Sequence, residues 1–99
     1  MPHLTIEYSQ NIEKNINVSD LVRVMHDTAA GIDALPLGGL RTRAAPRKDF
    51  LIADGHQSNT FVNVALRIAP GRSDAVKKDA GELLFTALSK FFEPFWQSD

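Results

Sequence analysis

Pro2, Arg41, Arg43 and Arg72 are the residues from which proton-transfer and anion-binding chemistry could be built in this chain. Methionine is readily removed ahead of a small residue, so Pro2 can become a free secondary amine at the head of the protein. An α-amino group titrates at roughly 7.7–8.0, and desolvation or nearby cations lower that value by disfavouring the charged form. Such an amine is a base near neutral pH, and a base poised there contributes about 10²–10⁴ in rate. Met-Pro also occurs at chain starts with no such role. Arg41 and Arg43 lie two apart in an alternating stretch, so their stems leave one strand face about 6.6 Å apart. Paired guanidiniums can grip carboxylates in bidentate fashion; taken alone, an edge strand defended by charge is the simpler explanation. Arg72 stands in Pro70-Gly71-Arg72-Ser73 just ahead of a helix, where free N–H groups and the helix dipole favour an anion. Asp74 already supplies negative charge to that helix end, so ordinary capping also accounts for the segment.

The remaining reactive types point nowhere specific. His3, His26 and His56 have no metal-ligand spacing; His26 reads as a helix-surface residue and His56 as part of a turn, so no metal is expected. Phosphate-binding loops, dinucleotide glycine fingerprints, nucleophile elbows and cysteine nucleophiles do not occur. Phe91, Phe92, Phe95 and Trp96 read as an aromatic packing surface, against a neighbouring subunit, or less readily as a ligand wall.

The elements that must position these residues follow from periodicity. His3 to Tyr8 alternates, with Leu4, Ile6 and Tyr8 on one face, which predicts a half-buried strand. Asn17 or Ser19 can cap a helix whose stripe is Leu21, Met25, Thr28, Ala29 and Ile32, stopped before Pro36. After Gly38-Gly39, Leu40 to Ala45 alternates again as a short strand, and Phe50 to Ala53 can form another before the Asp54-Gly55 turn. Thr60 to Ala69 is the clearest strand, with Val62, Val64, Leu66 and Ile68 facing a helix layer. Ser73 caps a second helix with the stripe Val76, Ala80, Leu83, Leu84, Ala87, Leu88 and Phe91, and Pro94 is expected to close it. The order predicts an α/β (α+β) domain spanning residues 1–99: one βαβ unit and most of a second.

With 99 residues the chain has room for a single thin core. It has no cysteine, so oligomerisation is the expected source of added stability, and an open sheet face carrying Phe61 and Ala65 is its expected seat. Eleven Lys and Arg against twelve Asp and Glu give a net charge of -1, which offers no global field for nucleic acid or an anionic membrane. Apolar runs are short and the first ten residues lack Lys and Arg, so a soluble, cytoplasmic protein is expected.

Taken together, Met1-Pro2-His3-Leu4, Pro36-Leu37-Gly38-Gly39-Leu40-Arg41-Thr42-Arg43, Ala53-Asp54-Gly55 and Gly71-Arg72-Ser73 with Ala80-Gly81-Glu82-Leu83-Leu84-Phe85 resemble the 5-carboxymethyl-2-hydroxymuconate Δ-isomerase family of the tautomerase superfamily. The likeness runs along nearly the whole chain and lapses from Ala44 to Ile52, where Ala45-Pro46-Arg47-Lys48 replaces an aromatic-rich stretch. It implies a homotrimer of paired βαβ units, a mixed sheet with two helices on one face, and a final strand absent from this chain. It further implies a cofactor-independent isomerase of aromatic-compound catabolism, with Pro2 as the general acid/base. Arg41 and Arg72 fall on the family's carboxylate-binding positions and Arg43 on a further basic one. In that scheme the amine takes a proton from a 2-hydroxy-dienoate di- or tricarboxylate and returns it at another carbon, giving the conjugated 2-oxo-3-enoate. The alternatives are a related proline tautomerase of a small keto/enol acid such as phenylpyruvate, or a non-catalytic oligomeric scaffold.

Overall fold

The computed structural model describes residues 2–97, the side chains of Trp96 and Gln97 excepted. Strand β1 (His3–Ser9) leads through a 3-10 turn over Gln10–Lys14 into helix α1 (Val18–Ala30), followed by strand β2 (Arg41–Arg47), strand β3 (Val62–Arg67) and helix α2 (Asp74–Gln97). β1 is central, pairing with β2 in parallel and with β3 antiparallel, so the sheet is mixed with order β2-β1-β3. The parallel pair joined through α1 is the expected βαβ unit, and β3 with α2 is the start of the second.

The side-chain alternation of β1 decides which face is covered. Leu4, Ile6 and Tyr8 are buried against the helices, and across the sheet they stand in register with Thr42, Ala44 and Pro46 on one side and Leu66, Val64 and Val62 on the other. Asn17 starts α1 by accepting the Asp20 N–H on its side-chain oxygen at 3.1 Å. Leu21, Met25 and Ala29, at four-residue steps, then bury fully. Ser73 does the same for α2, its hydroxyl accepting the Val76 N–H at 3.2 Å. Ala80, Leu84 and Phe92 carry α2 into the core, where each large side chain removed from water contributes about 1.5–3 kcal/mol.

Several expectations are corrected. Pro94 does not close α2, which continues to Gln97; the proline sits in the final turn, where only one intrahelical bond, to the carbonyl four residues back, is forfeited. Leu83 is 53% exposed, and the stripe runs instead through Phe92, whose ring meets Phe91 and Phe95 edge-on at 5.3 and 6.1 Å. The place of the Trp96 side chain in that cluster lies outside the described residues. Phe50 to Ala53 forms no strand: Leu51 is 88% exposed and Ala53 takes a positive φ of 52°. This loop is instead tied by Asn59, whose amide donates to the Ile52 carbonyl at 2.9 Å and to Asp54 Oδ1 at 2.8 Å.

The open sheet face is largely polar. His3, Thr5 and Glu7 share it with Arg41, Arg43, Ala45 and Arg47 from β2 and with Asn63, Ala65 and Arg67 from β3. It is rich in cations, and only Ala45 and Ala65 among these side chains are apolar. Glu7 accepts from Arg47 Nε at 2.6 Å.

Candidate active site

The Arg41 N–H donates to the Pro2 carbonyl at 3.0 Å, which carries the parallel ladder one residue beyond β1 and fixes Pro2 at the sheet end beside the head of β2. The Pro2 ring is fully buried. His3, the next residue, turns its ring to the open face. Arg43 brings its NH1 within 3.0 Å of His3 Nδ1. A guanidinium can only donate, so His3 accepts at Nδ1 and a neutral ring then carries its proton on Nε2. Partial desolvation, followed by the charges of Arg43, Arg67 and Arg41, holds the His3 pKa below its ordinary 6.5. The Arg41 guanidinium folds back over the preceding turn, donating to the Gly38 and Leu40 carbonyls at 3.3 and 3.4 Å.

Between α1 and the outer side of β2 runs a groove of about 620 Å³ whose polar lining includes His3, Arg23, His26, Asp27, Arg41 and Arg43. His26 is half-buried, with Nδ1 2.6 Å from Thr42 Oγ1, so it ties α1 to β2 and is not the free surface residue expected from the sequence. The signal that could have found it is Thr42, a hydroxyl on the inward face of β2 that needs a partner once covered. His56 lies in a turn as expected, its Nδ1 accepting the Ser58 N–H at 3.0 Å.

The structure therefore gathers Arg41 and Arg43 around His3, with Pro2 joined to them through the backbone. Arg72 lies elsewhere. Its Nε donates to the Ala34 carbonyl at 3.0 Å, pinning the segment between α1 and β2, and it does not line the groove. Among the described residues no group of His, Asp or Glu is arranged to hold a metal, and no helix is long and apolar enough to cross a membrane. What the site offers is concentrated donor capacity and positive charge, suited to carboxylates.

Comparison with known proteins matches residues 2–99 to the family of 5-carboxymethyl-2-hydroxymuconate isomerase. The Escherichia coli 5-carboxymethyl-2-hydroxymuconate Delta-isomerase is 32% identical over 98 residues, covering 99% of this chain and 78% of the relative. A crystal structure of 5-carboxymethyl-2-hydroxymuconate delta-isomerase superposes with a TM-score of 0.89 at 32% identity, over 99% of this chain and 75% of that one. The 5-carboxymethyl-2-hydroxymuconate isomerase of Deinococcus radiodurans R1 gives 0.85 at 34%, over 97% and 72%.

Proposed function

The chain belongs to the 5-carboxymethyl-2-hydroxymuconate isomerase family, cofactor-independent enzymes of the tautomerase superfamily, and from that premise we propose that it moves a proton within a 5-carboxymethyl-2-hydroxymuconate-like acid, with Pro2 as general acid and base. The observation that carries this reading is the bond from the Arg41 N–H to the Pro2 carbonyl, which sets the chain head beside the arginine-bearing end of β2. Removal of Met1 turns the Pro2 nitrogen from an amide into an amine next to that end. Burial of its ring and the neighbouring cations both favour the neutral, basic form. The amine accepts the proton of the 2-hydroxy group as the enol collapses to the ketone, and returns a proton to carbon to give the 2-oxo-3-enoate. Arg41 and Arg43 hold carboxylate and stabilise negative charge spreading onto the oxygen. Arg72, held on the Ala34 carbonyl, meets a remote carboxylate of a longer substrate. The enzyme works as a homotrimer in the cytoplasm, in aromatic-compound catabolism.

The test is the initial rate of dienol ketonisation, followed by ultraviolet absorbance, for the Met1-processed protein and its Pro2→Ala variant. A fall of about 10² or more is expected; a processed protein no faster than buffer overturns the reading. Arg72→Ala separates substrates: a large loss with a dicarboxylate and little with phenylpyruvate enol is expected, and equal losses count against the longer acid.

A further inference from the structure

Strand register assembles on the open face a set of donors that sequence spacing does not reveal. His3 stands opposite Arg41 on one side and opposite Arg67 on the other, so Arg41, His3 and Arg67 form one row across the sheet. Adjacent strands lie about 4.8 Å apart, which puts the two arginine backbones about 10 Å apart with the imidazole between them. Arg43, from the next row, reaches back to His3 Nδ1 at 3.0 Å. No acid belongs to either row, since Thr5 and Ala65 complete the second, and Glu7 on the same face is engaged by Arg47 at 2.6 Å. Cations gathered without a counter-charge repel one another, and an anion relieves that repulsion.

From this juxtaposition we infer that Arg67, with His3 and Arg43, forms a further carboxylate-binding subsite on the open sheet face, continuous through His3 with the groove that Arg41 and Arg43 line. The tautomer set by Arg43 leaves the Nε2–H of neutral His3 as a donor, and the exposed Arg67 guanidinium supplies a fork for the same anion. The depressed His3 pKa agrees with a ring kept neutral beside these cations. The ligand class is a small polycarboxylate, one end of which lies by Arg41 while another reaches Arg67. As a substrate subsite this rests on the isomerase reading; as a binding site it does not.

The experiment titrates the intact protein with tricarballylate, a tricarboxylate that cannot isomerise, and follows the His3 ring signals by NMR, with acetate at equal ionic strength as the control. The wild type is expected to show saturable shifts that acetate does not reproduce. Arg67→Gln is expected to weaken that binding about tenfold and Arg67→Lys to recover part of it, as loss and partial return of a charge-assisted bond should. With the dienol substrate, Arg67→Gln is expected to raise KM about tenfold while leaving kcat within about twofold. Non-saturating wild-type shifts, or binding and KM unchanged in Arg67→Gln, overturn the inference even when isomerisation is rapid. Saturable binding lost in Arg67→Gln in a protein that does not isomerise upholds the site and removes the isomerase reading.

Discussion

Tyr8 should resist ionisation, and its titration measures how tightly the first strand is held. It is the chain's single tyrosine, its ring is 3% exposed, and its hydroxyl donates to Glu13 Oε2 at 2.6 Å. Burial first, then the hydrogen bond to Glu13 and its negative charge, push the phenol from 10.0 up to about 12. At about 1.4 kcal/mol per pH unit that difference is worth on the order of 2–3 kcal/mol. The folded state favours the neutral phenol, so above pH 10 the unfolded chain releases its proton first. The contribution is complete below pH 10 and is lost as the pH rises through about 12. Phenolate absorbance should therefore show a midpoint near 12 for the native protein and near 10 in strong denaturant. Tyr8→Phe should cost about 1 kcal/mol at neutral pH, for the hydrogen bond, and abolish the alkaline decline. A midpoint near 10 while circular dichroism reports an intact fold would refute the reasoning.

Other expectations follow from particular contacts. Arg43→Gln should raise the His3 pKa toward 6.5, read from the ring proton shifts; an unchanged value means that this guanidinium does not act on the ring. Because the folded His3 binds its proton less tightly than the unfolded one, its contribution to stability is complete above pH 6.5 and is lost as the pH falls through the lowered folded value, a dependence that urea midpoints across the acid range should show weakened in Arg43→Gln. Phe92→Ala should cost about 3–5 kcal/mol in urea unfolding, whereas Leu83→Ala should stay within about 1 kcal/mol; comparable losses would restore Leu83 to the buried stripe. Gly55, at φ 81°, has no neighbour that a methyl group would strike, so Gly55→Ala should cost only the roughly 1–2 kcal/mol of a left-handed residue, by thermal melt.

Periodicity revealed the elements whose burial is one-sided. β1 and β3 alternate because one face meets helices and the other does not, and α1 shows its stripe because Leu21, Met25 and Ala29 all reach the core. Where apolar content has no partner the reading failed: Phe50 to Ala53 has strand composition, yet Phe50 is spent on an edge-to-face contact with Phe61 at 6.2 Å and no strand lies alongside. Arg41 and Arg43 were legible because a two-residue step is local. The meeting of His3 with Arg43 and Arg67 was not, since it depends on register between strands far apart in sequence, which hydrophobic pattern fixes only by face. Arg72 shows a related limit: its place at a helix start was readable, its hold on the Ala34 carbonyl was not.

The two outer strands differ in what they leave to solvent. On β2 the Arg41 N–H points inward to Pro2, so by alternation the amide positions of Thr42, Ala44 and Pro46 point outward, and Pro46 has no hydrogen there to give. At that one position the edge has no donor to offer, as is usual for prolines of outer strands. On β3, Ser9 takes the Phe61 carbonyl, so Val62, Val64 and Leu66 turn their backbone N–H and C=O groups away from β1, with no strand beside them among the described residues. The two flanks thus differ in one donor: the outward row on β2 is interrupted at Pro46, whereas Val62, Val64 and Leu66 on β3 form an unbroken one. A strand laid alongside would find an interrupted row of donors on β2 and a continuous one on β3.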